Sequence, residues 1–276
     1  MRTRSRIVIL SDTHLGKAGR GARSAEWLRP LWRGARRLIL NGDTAEVHDH
    51  TCRAEAARQV LRITELCEAD GVELTLLPGN HDPMIGEVRC LRLDDGRIFI
   101  THGDVLHPAI SPWTGHREEL RALHEQTLAA LDPVSREQLQ GQLDAAQYAS
   151  WFEWDHMAHR PAVRQPRWKR IVQQGIKAAR AMWYWHTLPI AAARYAERYA
   201  PECRFFIFGH IHRAGIWHIN NRIIINTGSY DFPSRPRAVV IEDDTLTVWP
   251  VVRGEDCYQF GERPLATFEV RERAAA

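Results

Sequence analysis

The stretch Ile7-Val8-Ile9-Leu10-Ser11-Asp12-Thr13-His14 decides the fold, because a short apolar run stops abruptly at polar residues. An apolar run of this length, bounded by turn-forming residues, is typical of a buried strand. The same pattern recurs as Leu38–Leu40 before Asn41-Gly42-Asp43, Leu74–Leu77 before Pro78-Gly79-Asn80-His81-Asp82, Ile98–Ile100 before Thr101-His102-Gly103-Asp104, and Phe205–Phe208 before Gly209-His210-Ile211-His212. Helical patterns lie between these runs, so the repetition of strand, loop and helix predicts an α/β sheet.

Two helices and two hairpins complete the predicted core. One helical pattern opens at Ser24, and another runs through Ala54–Ala69 with apolar residues near helical spacing. After His212 the pattern changes to paired apolar segments with short polar turns, which indicate antiparallel hairpins. The first hairpin joins Ile216–Ile219 to Arg222–Ile225, and the second joins Ala238–Ile241 to Leu246–Val248.

A long segment between the fourth and fifth strands interrupts this rhythm. It contains helix-like sequence, including Arg117–Leu131 and Ser135–His159, and six of the ten tryptophans. We therefore predict a helical insertion between two parts of one core. The predicted boundaries are 1–105 and 203–270 for the core, 106–202 for the insertion and 271–276 for a frayed tail.

The composition places the chain among soluble globular proteins. It has 276 residues, a formal net charge of +3 and 44% hydrophobic residues, which excludes disordered and collagen-like chains. The five cysteines include no C-x-x-C pair, so neither a disulfide framework nor a thiolate zinc site is indicated. No apolar run reaches the ~18 residues of a transmembrane helix or forms a signal-peptide core. We therefore expect a cytoplasmic protein without a transmembrane segment.

Charge is unevenly distributed along the chain. From His156 to Ala196 there is no acidic residue, but there are eight basic ones. Such a block indicates contact with polyanions, phospholipid head groups or a phosphorylated substrate, although an ordinary basic helix surface would give the same pattern. The candidate phosphate-binding residues within it are Arg160, Arg164, Arg167 and Arg170.

The residues that follow the five strands are nitrogen and oxygen donors without sulfur. They are Asp12, His14, Asp43, Asn80, His81, His102, His210 and His212. Because ligand sites of open α/β sheets lie at the carboxyl ends of the strands, we expect these groups at one rim. Residues two apart in extended chain point to the same side, which would bring together the members of the D-x-H and H-x-H pairs. Eight groups exceed what one ion takes from a protein, whereas two ions ~3.5–4 Å apart would use nearly all of them.

The donor set also restricts the metal and the reaction. Mixed imidazole and carboxylate ligation is compatible with manganese, iron or zinc, and is less natural for magnesium or calcium, so we favour manganese. Two divalent ions stabilise the attacking and leaving oxygens of a displacement at phosphorus and lower the pKa of a bridging water. The predicted reaction is therefore metal-assisted phosphoester hydrolysis. A single Asp or His at a strand end is also a common turn residue, so this prediction depends on the whole set.

Five motifs, D-x-H, G-D-x-x-E, G-N-H-D, H-G-D and G-H-x-H, follow one another over residues 12–212. In this order they resemble the calcineurin-like metallophosphoesterases. The resemblance implies an α/β fold, a four-layer αββα sandwich of two mixed sheets, with the helical insertion as a cap. It also implies that Asp12, His14 and His212 bind one metal, that Asp43 bridges, and that Asn80, His102 and His210 bind the second.

The same resemblance implies roles for four more residues. His81 would lie over the leaving group as a general acid or phosphate-positioning group and would not bind metal. Glu46, Asp82 and Asp104 would lie behind the ligands, where carboxylates orient ligating imidazoles.

The insertion should decide the substrate, and it carries aromatic clusters at Tyr148–Trp154 and Met182–Trp185 beside the basic block. These aromatics are either a simple core or a lid whose apolar face meets acyl chains or the membrane interface. The layout resembles that of the UDP-2,3-diacylglucosamine hydrolases, peripheral-membrane enzymes of lipid A synthesis. That resemblance implies cleavage of the pyrophosphate of a UDP-linked acylated sugar to UMP and a lipid phosphate.

Two other functions fit the same residues. A nucleic-acid or cyclic-nucleotide phosphodiesterase would use the basic block to follow a phosphate backbone. A metal-binding scaffold without catalysis would be expected to lack a ligand or His81, and the sequence has the full set. Nucleic-acid or cyclic-nucleotide hydrolysis is therefore the main alternative.

Overall fold

The structure, a computed structural model, describes residues 6–157 and 166–271, without the side chains of Met157, Trp168 and Arg170. Its strands are β1 Ile7–Leu10, β2 Arg37–Asn41, β3 Glu73–Leu77, β4 Cys90–Leu93, β5 Ile98–Thr101, β6 Phe205–Phe208, β7 Gly215–Ile219, β8 Arg222–Asn226, β9 Arg237–Glu242, β10 Thr245–Arg253, β11 Tyr258–Phe260 and β12 Ala266–Glu269. Its helices are α1 Ala25–Trp32, α2 Arg53–Asp70, α3 Arg117–Ala130, α4 Pro133–Glu137, α5 Leu139–Phe152 and α6 Arg167–Tyr199. A 3₁₀ turn at Asp104–Leu106 and a π-helical turn at Glu153–Met157 complete the regular structure of these residues.

The strands form two mixed sheets. Sheet I has the order β11-β10-β9-β1-β2-β3, with β12 paired to β10, and sheet II has the order β4-β5-β6-β8-β7. In sheet I, β1, β2 and β3 are parallel, and β9 pairs with β1 in the antiparallel direction. In sheet II, β5, β6 and β8 are parallel, whereas β4 and β7 are antiparallel to their neighbours. Both predicted hairpins, β7 with β8 and β9 with β10, are present.

Alternating side chains along the buried strands build four layers. In β1, Ile9 packs in the cluster between the two sheets, whereas Val8 packs in the cluster that α1 and α2 cover. In β5, Ile100 faces sheet I, whereas Phe99 packs against α6. The layers are therefore α1 with α2, sheet I, sheet II and α6. The expected α/β sandwich of two mixed sheets is confirmed.

The helices agree with the prediction except at one place. Ser24 caps α1 through its side chain, and α2 and α3 lie within a residue of their predicted bounds. The helix-like stretch Ser135–His159 is not a single helix, because Gln138 adopts an extended conformation between α4 and α5. After α5 the chain widens into the π-helical turn, and the last two residues of the predicted helix lie outside the described part of the chain.

Three strands had no counterpart in the prediction. Strand β4 is an edge strand whose residues are half-buried or exposed, and β11 and β12 are short strands at the rim of sheet I. Strand β10 extends well beyond the predicted Leu246–Val248. Of the predicted tail, Arg271 donates a hydrogen bond to Asp94 at 2.7 Å, and residues 272–276 lie outside the described residues.

The segment between β5 and β6 contains α3, α4, α5 and α6. Helix α6 is the longest of them, with 33 residues, and it contains Pro189. It lies against sheet II through Leu188, Ala192 and Ala196. Within the described residues, no helix combines the length and the apolar character needed to cross a bilayer.

Candidate metal centre

The loops after β1, β2, β3, β5 and β6 converge at one end of the two sheets. They bring the ligand-type atoms of their side chains together in three groups, each within 4.8 Å. The groups are Asp12, His14, Asp43 and His212; Asp43, His102 and His210; and His14, Glu46 and His81. The predicted donors therefore meet in one buried cluster, in which Asp43 belongs to two groups.

The first group centres on the imidazole of His14. Its Nε2 lies 3.0 Å from Nε2 of His212 and 3.8 Å from Oδ2 of Asp43. Nε2 of His212 lies in turn 3.4 Å from Oδ1 of Asp12. The carboxylate of Asp12 is held in place by the backbone N–H of His210, which donates to it at 2.9 Å. Two carboxylates and two imidazoles thus face one point.

The second group lies on the other side of Asp43. Nε2 of His102 is 3.4 Å from Oδ2 of Asp43 and 3.3 Å from Oδ1 of Asn80. Oδ1 of Asn80 is also 2.8 Å from Nδ1 of His210. The amide oxygen of Asn80 therefore contacts two imidazoles, and Asp43 lies between the two groups.

Hydrogen bonds at the far nitrogen set the tautomers of three imidazoles. Nδ1 of His14 contacts Oε1 of Glu46 at 3.0 Å, Nδ1 of His102 contacts the Asn41 carbonyl at 3.0 Å, and Nε2 of His210 contacts the Ile110 carbonyl at 3.0 Å. Carbonyls and carboxylates only accept, so each far nitrogen carries the proton. When these rings are neutral, their near nitrogens direct lone pairs into the two groups, which suits the binding of cations. The donor set fits two divalent metals.

In the metal-free protein, protons partly neutralise the buried carboxylates of the site, as bound cations would. Burial lowers the pKa of His102, but the charge and hydrogen bond of Asp43, together with the charges of Asp12 and Asp104, outweigh burial and raise that pKa to about 10. Burial raises the pKa of Asp43, but the charges of His102 and His81 hold it well below its ordinary value. Burial lowers the pKa of His210 to about 4, so this ring is neutral. A buried site that recruits protons to its anions is also one in which metals and protons compete.

His81 lies beside the two groups and faces a cavity. Its backbone N–H donates to Oδ1 of Asp43 at 2.8 Å, and its Nδ1 contacts Oε2 of Glu46 at 2.9 Å. Burial lowers the pKa of His81, but the charges of Asp43 and Glu46 outweigh it and raise that pKa to about 9. The ring is therefore protonated at neutral pH in the metal-free protein. Glu46 holds both His14 and His81, as a carboxylate behind the ligands would.

The other two carboxylates expected behind the ligands have different partners. Asp82 accepts hydrogen bonds from backbone N–H groups, among them those of Asp43 at 3.0 Å and Gly79 at 2.8 Å. Asp104 accepts from Arg89 at 2.6 Å in a buried ion pair. The expectation that they orient imidazoles by hydrogen bonds is wrong for the described contacts. Asp82 holds the loops after β2 and β3 together, and Asp104 pairs with an arginine.

The local backbone at the site is left-handed. The residues with positive φ include Asp12 at 50°, His14 at 46°, Asp43 at 49°, His210 at 69° and His212 at 52°. The expectation that the D-x-H and H-x-H pairs lie in extended chain is therefore wrong. A sharp turn at each member, not strand alternation, directs the side chains, and His210 and His212 accordingly enter different groups.

Two glycines of the motifs stand where no side chain fits. A Cβ at Gly79 would overlap Oδ1 of Asp43, and a Cβ at Gly209 would overlap Oδ2 of Asp12. Each glycine precedes a ligand-type residue in the chain and lies against a carboxylate from another loop. The G-N-H-D and G-H-x-H motifs therefore need glycine for close approach.

A cavity of about 560 Å³ opens beside the two groups. The metal-site residues in its wall are Asp43, Asn80, His81, His210 and His212. The opposite wall comes from the segment between β5 and β6 and includes Trp113, Glu153, Trp154, Gln174, Lys177, Ala178, Ala181 and Trp185. The sequence showed these tryptophans, but no spacing distinguished those that face the site from those that do not.

The four candidate arginines are only partly described. Arg160 and Arg164 lie outside the described residues, and the side chain of Arg170 is not described. Arg167 begins α6 with an exposed side chain and is not among the residues that line the cavity. Within the described wall, Lys177 of α6 brings a cationic side chain to the cavity.

Comparisons with known proteins identify the family. Residues 5–214 match the calcineurin-like phosphoesterases. Among solved structures, the chain is similar to a predicted phosphoesterase from Streptococcus pneumoniae, with 14% identity, 95% of this chain and 100% of that chain covered, and a TM-score of 0.41. It is also similar to a dimetal phosphatase from Danio rerio, with 14% identity, 92% and 98% covered and a TM-score of 0.46. Vps29 of Entamoeba histolytica with Zn²⁺ is similar at 11% identity, with 96% and 99% covered and a TM-score of 0.40. A comparison with curated proteins found no match. Because the family match covers most of the chain and includes every motif loop, the chain belongs to the calcineurin-like phosphoesterase family and is a phosphoesterase, as its motifs predict.

Proposed function

We propose that this protein hydrolyses the pyrophosphate of a UDP-linked acylated sugar with two divalent metal ions. The observation that carries the two-metal part is the position of Asp43, whose Oδ2 lies between Nε2 of His14 and Nε2 of His102. We assign Asp12, His14 and His212 to one ion, and Asn80, His102 and His210 to the other, with Asp43 shared. Manganese is our first choice, and iron and zinc suit the same donors.

The residues of the chain have separate tasks in this reaction. Two bound cations would stabilise the charge that develops on the phosphoryl oxygens. His81 faces the cavity and carries a proton that Glu46 holds at Nδ1, so its Nε2 can donate to the leaving oxygen. The carboxylate of Glu46 also fixes the ring of His14, so one side chain orients a ligand and the proton donor.

The cavity wall supports a substrate that is both charged and apolar. Trp113, Trp154 and Trp185 line the cavity beside the metal groups, together with Ala178. Lys177 adds a positive charge to the same wall. A phosphorylated compound with an apolar portion would contact both kinds of surface.

We further propose that residues 106–202 form a cap over the core at 1–105 and 203–270. The proposed phosphate contacts are Arg160, Arg164, Arg167 and Arg170. Arg167 supports this arrangement, because it lies two helical turns before Gln174, which lines the cavity. Exposed Ile171, Val172 and Trp183 on α6 support peripheral contact with a membrane. The proposed location is the cytoplasm, at the membrane surface.

The test compares substrates with the protein loaded in turn with manganese, iron or zinc. UDP-2,3-diacylglucosamine, UDP-glucose, a cyclic nucleotide and single-stranded DNA are offered at equal concentration, with bis-p-nitrophenyl phosphate as a control for a competent centre. We expect release of UMP from the acylated compound alone. Hydrolysis of DNA or of the cyclic nucleotide without hydrolysis of the lipid would overturn the substrate and favour the alternative phosphodiesterase.

His81→Ala tests the proposed proton donor. We expect two bound metals by elemental analysis and a kcat on bis-p-nitrophenyl phosphate lowered by ~10²–10⁴, the usual contribution of general acid catalysis. His48→Ala, outside the three groups, serves as a control and should keep the wild-type rate. Loss of metal from His81→Ala would show that His81 is a ligand and contradict its assigned role.

A further inference from the structure

The π-helical turn at Glu153–Met157 brings Trp154 to the metal centre. This turn follows α5 directly, and a π turn widens the helix by one residue per turn. Trp154 lines the cavity and lies against the loop after β3. Turns of this kind are rare and often mark functional positions.

The indole of Trp154 makes two contacts with the loop after β3. Its Nε1–H donates to the main-chain carbonyl of Asn80 at 2.6 Å. Its ring lies edgewise to the imidazole of His81, with 5.0 Å between centroids and 60° between planes. The same side chain thus holds the backbone just before His81 and one side of its ring.

The imidazole of His81 is held from two sides by different parts of the chain. On the core side, Glu46 contacts its Nδ1 at 2.9 Å, and on the other side lies Trp154. A second contact from α5 reaches the same loop, because Nε2 of Gln147 donates to the Pro83 carbonyl at 2.6 Å. Helix α5 and its terminal turn therefore hydrogen-bond to the loop both before and after His81 in the chain.

We propose that Trp154 is a positioning residue, which orients His81 for the reaction by holding the Asn80 carbonyl and the edge of the imidazole. This inference rests on the proposed function, in which His81 protonates the leaving group. It assigns to the segment between β5 and β6 a part in the chemistry itself, in addition to substrate contact.

The test variant is Trp154→Phe, which keeps an aromatic ring but removes the indole N–H. We expect both metals to remain bound and kcat for bis-p-nitrophenyl phosphate to fall by ~10–100-fold with KM within twofold, because small displacements of a reacting group cost rates of this order. The control is Trp249→Phe on β10, which also loses an indole N–H hydrogen bond, here to Oγ1 of Thr247 at 3.0 Å, and lies outside the cavity wall. It should keep the wild-type kcat.

A spectroscopic readout keeps the test independent of activity. In zinc-loaded protein with ¹⁵N-labelled histidine, Trp154→Phe should shift the ring signals of His81, and Trp249→Phe should not. If the wild type hydrolyses no substrate, the proposed function fails while these signals still decide the role of Trp154. Unchanged His81 signals overturn the proposal, and so does an unchanged kcat in an active enzyme.

Two further outcomes are decisive. Loss of one metal from Trp154→Phe would overturn the proposal, because the indole would then serve the ligand Asn80 and not His81. If Trp154→Phe does not fold, Gln147→Ala replaces it, since Gln147 is a half-buried residue that holds the same loop. Gln147→Ala should lower kcat by ~2–5-fold and shift the ring signals of His81. Absence of both effects overturns the proposal.

Discussion

At the scale of single residues, five of the proposed ligands share a left-handed backbone: Asp12, His14, Asp43, His210 and His212. For a residue with a Cβ this conformation costs about 1–2 kcal/mol. The cost is tolerated because neighbouring loops hold the residues through backbone hydrogen bonds, such as that from the His14 N–H to the Asp43 carbonyl at 2.9 Å. Strain of this kind concentrates where side chains must converge on one point.

Asp43→Ala tests the shared ligand at this scale. Because Asp43 lies between both groups, its removal should lower the affinity for both ions and abolish hydrolysis of bis-p-nitrophenyl phosphate. Elemental analysis after gel filtration should find less than one metal per chain. Asp104→Asn is the matched control, since that carboxylate pairs with Arg89 and belongs to none of the three groups. Appreciable turnover by Asp43→Ala would contradict the bridging assignment.

Residue identities were accessible from the sequence, but their local geometry was not. The motifs named the donors that meet in the structure, because each donor follows an apolar run that ends at the same rim. The left-handed turns could not be predicted, since Asp and His are compatible with many loop conformations. The partners of Asp82 could not be predicted either, because backbone N–H groups leave no mark in a sequence.

At the scale of elements, the π-helical turn after α5 brings the carboxyl group of Glu153 into the cavity wall. Burial raises its pKa from the ordinary 4.5 to about 7, against the opposing charge of His81. The folded protein therefore holds a proton that the unfolded chain releases between these two pH values. Stability contributed by this group is present below pH 4.5 and is lost as the pH rises through 7.

Glu153→Gln should remove this pH dependence in the metal-free protein. The variant should exceed the wild type in free energy of unfolding by about 3 kcal/mol at pH 8 and by a fraction of that at pH 5, since one pKa unit corresponds to about 1.4 kcal/mol. Urea unfolding at both values, with a chelator present, measures the difference. An equal difference at pH 5 and pH 8 would contradict a raised pKa.

Strands with a continuous apolar run were predictable, and the short edge strand β4, which lacks one, was not. Four of the five predicted strands, β1, β2, β5 and β6, are buried, so nearly every residue in them is apolar. The fifth, β3, is a half-buried edge strand that was found through its apolar run Leu74–Leu77. Strand β4 lies at an edge, and its four residues include the exposed Arg92. So short and mixed a sequence does not identify a strand. Gln138 separates α4 from α5, but it is neither glycine nor proline. The sequence of Ser135–His159 therefore shows no break at this position.

At the scale of the whole molecule, the proposed ligands come from both sheets. Asp12, Asp43 and Asn80 follow strands of sheet I, whereas His102 and His210 follow strands of sheet II. Bound ions would therefore join the two sheets at one end. Because the unfolded chain has no such arrangement, metal binding should add to the free energy of unfolding.

Addition of manganese to metal-free protein should raise the thermal midpoint. Each ion at a hundred times its Kd contributes about 2.7 kcal/mol, which corresponds to roughly 5–10 °C for a chain of this size. Scanning calorimetry with and without a chelator measures the shift. In Asp43→Ala the shift should be largely absent. A full shift in that variant would place the stabilising ions elsewhere.

The pairing of β1 has a consequence for the order in which the protein can fold during synthesis. Strand β1 leaves the ribosome before β2, with which it can pair soon afterwards, but its other neighbour is β9, where Ile7 pairs with Ile241. Until β9 emerges, the edge of the apolar strand β1 that later pairs with β9 lacks this partner and can bind another nascent chain or a chaperone. A chain halted just before Arg237 would carry every proposed ligand and would still lack the strand that closes β1.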